Sequence, residues 1–343
     1  MMKRRKVPAI ISTFLAGCMG VANPDNSTTL STSQGTTTQS ASIGTETMST
    51  TTTAQSYTLL HTDPSSLTAS EVRERIDDVA CSTLTDLPTT CPGDDGRLTV
   101  TVSPAVGELL GDSVQVTIAN QTAQPFEWGP YDWQLQKWDD TGWRRIAPLK
   151  VPAKLGRIPP GDSHTYRIAP VERRPVRSSH AFMTEENVTI GGLGPGVYGF
   201  STKGYLESAP DHEFALAAVF GLAGDAPPVR PTDGVRRVTR DGSTLVVHAD
   251  APGDRTAELA VSLVGGDPDV RLLPEHVQQL AGLLNTLPYA ATDGVKTIRY
   301  VGHSGDVGMV DTYLSNLAAI AGLPKEAKHR FGFCDLVFEA SSS

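Results

Sequence analysis

The sequence predicts a multidomain protein: an all-β sandwich over residues 97–225, then a small α+β domain over 235–340, with a disordered Ser/Thr-rich stalk over 18–56 ahead of both. Three patterns carry that expectation. Apolar and polar residues alternate in short runs in the first region, strand-like and helix-like runs interleave in the second, and residues 24–56 offer almost nothing apolar to bury. Alternation with a period of two, broken by Gly, Pro, Asp and Asn, marks half-buried antiparallel strands. Interleaved elements over ~110 residues fit an α+β layer architecture. A stretch without apolar side chains has no core to offset the entropy of ordering it.

In chain order, Lys3, Arg4, Arg5 and Lys6 precede a short apolar run over 7–15 that ends in small residues. A basic segment, a short apolar core and a small-residue cleavage site read as a secretory signal over 1–17. The run is too short to cross a ~30 Å hydrocarbon core, which needs about 20 residues. Leu15-Ala16-Gly17-Cys18 resembles the lipobox of prokaryotic lipoproteins. The resemblance implies cleavage after Gly17, a diacylglyceryl group on the Cys18 sulfur, and a palmitate-type anchor holding the chain on the extracytoplasmic side of the cell membrane. Two acyl chains give the stable attachment that one chain does not. Arg4-Arg5 also reads as a twin-arginine export signal, although Lys6-Val7-Pro8 departs from the usual continuation.

The formal net charge is −9, and removing residues 1–17, which hold four basic residues and no acid, leaves −13. So negative a chain argues against nucleic acid, whose phosphates demand clustered Lys and Arg. Besides Cys18 there are Cys81, Cys91 and Cys334. Disulfides persist outside the cytoplasm, and a Cys81–Cys91 bond closing a small loop is expected, with Cys334 left free and buried. The alternative is a long-range bond from Cys334 to one of those two. Three sequons, at Asn26, Asn120 and Asn187, are glycosylation candidates.

Residues 57–96 form a preamble. Residues 57–60 carry a brief strand signal, and Thr68-Ala69-Ser70-Glu71 can cap a helix running to about Val79, with Val72, Ile76 and Val79 on one face. From residue 97 the alternating runs begin: Leu98, Val100 and Val102; Val114, Val116 and Ile118; Tyr131, Trp133 and Leu135. Asp139-Asp140-Thr141-Gly142 makes a hairpin turn between Trp138 and Trp143, Pro159-Pro160-Gly161-Asp162 precedes another strand, and Leu193-Gly194-Pro195-Gly196 leads into Val197-Tyr198. Short strands at this spacing favour a β-sandwich. In this order the runs resemble bacterial immunoglobulin-like domains of exported proteins, without the paired inter-sheet cysteines of antibody domains. The resemblance implies an immunoglobulin-like sandwich.

A Pro-rich linker over 226–234 leads to a hairpin around Asp241-Gly242. Residues 259–264 fit strand or helix. Pro274 starts a helix with Val277, Leu280, Ala281, Leu284 and Leu287 on one face; residues 297–301 read as a strand, 307–321 as a second helix and 331–338 as a closing strand.

The tryptophans Trp128, Trp133, Trp138 and Trp143 crowd into sixteen residues. Parity puts Trp133 in the core and turns Trp138 the other way, to pair across the hairpin with Trp143. Trp128, Trp138 and Trp143 are the ligand-binding candidates, since exposed aromatic rings carry much of an interface's energy. Gly302-His303-Ser304-Gly305-Asp306 is similar to the nucleophile elbow of α/β-hydrolases, with Asp306 where the last glycine belongs and His329 the only later histidine. A plain turn feeding a helix explains it better. His248, Asp250 and Asp254 offer metal ligands without a supporting second cluster.

The reading is therefore a lipid-anchored extracytoplasmic surface protein with a non-catalytic binding or envelope-structural role. Its expected partners are the membrane and an extracellular protein or glycan, met on sheet faces, loops or the Trp-rich hairpin. No cofactor, metal or nucleic acid is expected. The alternatives are an envelope hydrolase using Ser304 and a metal-dependent binding module.

Overall fold

The structure, a computed structural model, describes residues 57–60, 66–94, 96–111, 113–148, 154–172, 187–251, 255–324 and 327–343. The signal, the stalk, Cys18, Asn26 and Asp254 lie outside the described residues. The described chain is mostly β, in three sheets.

The first described segment acts as a strap. Residues 57–60, expected as a strand, are coil. Their aromatic and apolar side chains serve a different purpose: Tyr57, Leu59 and Leu60 pack on the core of the C-terminal lobe. There the Tyr57 hydroxyl donates to Val238 O at 3.0 Å, and Thr292 Oγ1 donates to Thr58 O at 2.9 Å. The strap continues on the other lobe as β1 (Ser66–Leu67), α1 (Ala69–Asp77), a 3-10 turn at Cys81–Thr83 and β2 (Thr89–Thr90). Thr68 caps α1 as its sequence suggests: Glu71 N donates to Thr68 Oγ1 at 3.3 Å, and Thr68 N donates back to Glu71 Oε2 at 2.8 Å. Cys81 and Cys91 are disulfide-bonded, closing the loop between the 3-10 turn and the residue after β2.

The strap lies on a two-sheet unit. Its strands are β3 (Leu98–Ser103), β4 (Val106–Glu108), β5 (Val114–Asn120), β6 (Phe126–Trp138), β7 (Trp143–Ala147), β8 (Gly156–Ile158), β9 (Ser163–Val171), β10 (Asn187–Gly191), β11 (Gly196–Leu206) and β12 (Phe214–Asp225). One sheet runs β10-β9-β5-β3. The other runs β1-β12-β11-β6-β7, with β2 and β4 also on β12 and β8 on β6. Between β3 and β4 the chain crosses from one sheet to the other. Alternate residues of both sheets meet in one core, including Val116, Ile118, Trp133, Leu135, Tyr166, Phe200 and Phe220.

β11 and β12 are buried on both faces. Their inward residues are large, among them Tyr198, Phe200 and Phe220, whereas Gly199, Ser201, Ala217 and Gly221 are small. The glycines are seats for the strap. A Cβ on Gly221 would stand 2.1 Å from Val72 Cγ1, and one on Gly199 would stand 2.1 Å from Leu84 Cδ2. Gln136 Nε2 adds a hydrogen bond to Leu84 O at 2.8 Å.

The C-terminal lobe comprises β13 (Val235–Asp241), β14 (Thr244–Ala249), β15 (Thr256–Leu263), β16 (Val270–Arg271), α2 (Pro274–Gln278), α3 (Ala281–Leu284), a 3-10 turn at Leu287–Ala291, β17 (Thr297–His303), α4 (Ser304–Ile320), β18 (Phe331–Phe333) and β19 (Leu336–Ser342). Its sheet order is β13-β14-β17-β15-β19-β18-β16. Leu245, Val247, Leu259, Val261, Ile298 and Phe338 of the sheet share a core with Leu283, Val310 and Leu314 of the helices.

Three expectations are corrected here. The helix from Pro274 is three short pieces, because Leu280 is extended and the residues before it are held by the other lobe. The closing strand is two strands joined by a turn at Cys334, whose φ is 53°. Cys334 is half-buried and disulfide-bonded, not a free thiol.

Replacing Gly221 by Val should lower stability by about 1–3 kcal/mol, the usual cost of overpacking, and make residues 66–91 the first site of limited proteolysis. Urea unfolding and peptide mapping of the nicked chain measure both.

Candidate functional site

The two lobes meet at α2, whose sequence Pro274-Glu275-His276-Val277-Gln278 is mostly polar. Five residues are too few for a helix to hold itself in water, so α2 takes its shape from what it touches. Glu275 and His276 are each 1% exposed, and Gln278 and Gln279 are nearly as buried. Buried polar groups require partners; each of the four has at least one on the sandwich or the linker, while Glu275 Oε2, Gln278 Oε1 and Gln279 Oε1 are buried without one.

Glu275 Oε1 accepts a hydrogen bond from Lys137 Nζ at 2.5 Å and another from Gly194 N at 3.0 Å. The Tyr198 hydroxyl has a single hydrogen. It donates to Gly194 O at 2.7 Å and stands 3.2 Å from the same carboxylate oxygen. The Lys137 ammonium also lies over the Tyr198 ring, 5.5 Å from its centre. Burial works to raise the Glu275 carboxyl, but the Lys137 charge and the hydrogen bonds outweigh it and hold the group below its ordinary range. Tyr198 is pushed well up, first by burial and then by the Glu275 charge.

His276 Nδ1 accepts from Leu273 N at 3.0 Å, and Nε2 sits 3.0 Å from Arg145 O. A carbonyl can only accept, so the proton is on Nε2 and the ring is neutral. Burial pushes its pKa down to about 4. Gln278 Nε2 donates to Pro227 O and Pro228 O of the linker, and Gln279 Nε2 donates to Ile146 O of β7.

The sequence-expected residues are dispersed. Trp128 is not the exposed ring expected: it is 6% exposed, its Nε1 donates to Tyr166 Oη at 2.7 Å, and its ring lies against Phe126. Trp133 is in the core, stacked on Phe200. Trp138 and Trp143 do pair across the hairpin, edge to face at 5.4 Å, and both are half-buried. Trp143 Nε1 donates to Thr83 Oγ1 of the strap at 3.0 Å. Asp139 Oδ1 holds the turn by accepting from Thr141 N and Gly142 N.

Ser304 opens α4, and its N–H donates to Arg255 O at 2.9 Å. Among the described residues no hydrogen bond joins Ser304 to a histidine. His303 Nδ1 instead accepts from Gly305 N, capping the helix, and Tyr300 Oη donates to the Asp306 carboxylate at 3.2 Å. Burial raises the Asp306 pKa despite that bond. His329 lies edge-on to Phe331 at 6.5 Å, in the approach to β18. The elbow-like stretch thus works as a strand-to-helix turn.

His248 Nε2 lies 3.3 Å from the Arg237 guanidinium, and Asp250 is taken by Arg236. Burial, then Arg237 and Arg299, lower the His248 pKa, which ties this patch to arginine pairing. No cluster of three or more potential metal ligands occurs among the described residues.

Asn120 is corrected as a glycosylation candidate. It is 0% exposed, its Nδ2 donates to Gln124 O and Ile158 O at 2.8 Å each, and its Oδ1 accepts from Thr122 N and Thr122 Oγ1. Asn187 is exposed at the start of β10.

No family model matches the chain, and no curated protein matches it either.

Substituting Asn120 by Ala should cost about 2–3 kcal/mol, since buried carbonyls lose their donors, and glycopeptide mapping from a glycosylating host should find Asn120 unmodified. A glycan at Asn120 on folded protein would contradict the buried network.

Proposed function

We propose that this chain is an exported, lipid-anchored surface protein with an immunoglobulin-like lobe and a non-catalytic role, either binding an extracellular protein or glycan or serving as a structural part of the envelope. The observation that carries the location is the Cys81–Cys91 disulfide, which closes a loop within the strap. Such bonds persist in oxidising compartments and are rare where thiols are kept reduced. It agrees with the signal-like residues 1–17 and the lipobox resemblance at Cys18.

Three features support the immunoglobulin-like reading. The chain changes sheets between β3 and β4, and β4 runs parallel to the last strand, β12. Tyr198, near the start of β11, hydrogen-bonds back to Gly194 O, as the tyrosine corner of such sandwiches does. Phe200, two residues later, stacks on Trp133 where antibody domains place a disulfide against a tryptophan.

The strap covers the outer face of β11 and β12, so a ligand there would have to displace it. The half-exposed Trp138 and Trp143 at the rigid 139–142 turn are the better recognition surface, large in area and low in entropy cost.

Cys81 and Cys91 bond each other and Cys334 is also in a disulfide, so a lipid thioether on Cys18, which bars that sulfur from any disulfide, requires Cys334 to pair with a cysteine of another molecule, and this gives the anchor a sharp test. Intact mass and non-reducing peptide mapping of membrane-extracted protein should show a chain starting at acylated Cys18, and Cys18→Ser should move the protein to the soluble fraction. Retention of residues 1–17 in a soluble protein, or a Cys18–Cys334 disulfide, would overturn the anchored reading.

A further inference from the structure

We infer that α2 is an acid-sensitive latch: protonation of His276 releases the C-terminal lobe from the sandwich while both lobes stay folded. The inference is independent of export and anchoring.

Geometry carries it first. His276 is 1% exposed at the seam, and both ring nitrogens are committed. Nε2 already donates to Arg145 O, and Nδ1 accepts from Leu273 N. A second proton can go only to Nδ1, where it would oppose the Leu273 N–H and break the bond that starts α2. The same turn places Glu275 on Lys137 and Gly194, and Gln278 on the linker carbonyls, so disturbing it loosens these ties together.

The charges around the ring do not rescue an imidazolium. Glu275, on the same helix, favours it, but that carboxylate is already engaged by Lys137 of β6. The Arg145 carbonyl also favours it, but Arg144 of β7 and Lys137 add opposing positive charge, and Tyr313 of α4 and Tyr198 of β11 are neutral. The docked imidazole is accordingly held down near 4, from 6.5 when released.

A depressed pKa in the docked state means docking is at full strength above about 6.5 and weakens as pH falls from there towards 4. Between pH 7.5 and 5.0 one such group shifts the balance towards the undocked form by about 30-fold. Glu275, held below its ordinary range when docked, stays ionised there; released, it begins to protonate only towards pH 5.0 and adds a small slope in the same direction.

Undocking does not require unfolding, because the lobes have separate cores. The linker and the strap keep them tethered.

Hydrogen exchange of the full chain, corrected for intrinsic rates, tests this. Between pH 7.5 and 5.0, residues 192–198 and 274–280 should exchange at least tenfold faster, while β5 and β15 keep their protection. His276→Gln, which retains a donor towards Arg145 O without a titrating ring, should remove most of that pH dependence. Unchanged exchange at the seam, or the same slope in H276Q, would overturn the latch. Should H276Q be undocked already at pH 7.5, the wild-type imidazole titration read by NMR decides: a midpoint well below 6.5 supports the latch, and one at 6.5 overturns it.

Discussion

A carboxylate with 1% of its surface exposed must be compensated where it lies, and Glu275 draws its compensation from the other lobe. Stripping water from a charge costs several kcal/mol, and only well-placed partners recover it. Lys137 Nζ and Gly194 N supply them from the end of β6 and the loop before β11. The consequence is that α2 folds only when docked, and docks in only one way. Apolar contact alone would tolerate sliding; a buried ion pair with a backbone donor fixes position. His276, Gln278 and Gln279 extend the same logic to β7 and the linker, so the seam is specified by hydrogen bonds more than by buried oil.

The strap holds the two bodies from the other side. It begins on the C-terminal lobe at Tyr57 and then crosses to β12, where glycine seats bring Val72 and Leu84 close to the sheet. A disulfide that closes a ten-residue separation reduces the freedom of the unfolded chain by about 2–3 kcal/mol in the chain-entropy picture. Each device covers backbone that would otherwise be an open sheet edge or face, the usual route to unwanted pairing. The same coverage narrows where a ligand can act. What the sandwich leaves half-exposed is its aromatic hairpin, and what the C-terminal lobe adds is a seam that can respond to protons.

Much of the strand pattern was legible because period-two alternation is a local property: Leu98, Val100, Val114, Val116 and Ile118 face the core as their parity implies. The Thr68–Glu71 cap and the Trp138–Trp143 pair were legible for the same reason. The seam was not, because it is decided by residues far apart in the chain: Lys137 and Glu275 are 138 positions apart. Polar residues between apolar ones on a short helix read as solvent-facing until a second lobe covers them. Gly199 and Gly221 read as strand irregularities, since nothing local says that Leu84 and Val72 will sit on them. Asn120 shows the converse failure, where a three-residue surface motif coincides with a buried side chain whose amide closes a loop.

That α2 joins the lobes through mutual neutralisation is tested most directly by a double-mutant cycle on Lys137 and Glu275, using Lys137→Met and Glu275→Gln singly and together and measuring urea stability. A coupling free energy of about 2 kcal/mol or more, with the double variant losing much less than the summed single losses, is the expected result for a desolvated pair. Additive losses within about 0.5 kcal/mol would mean the two charges do not depend on each other, and would contradict a seam built on them.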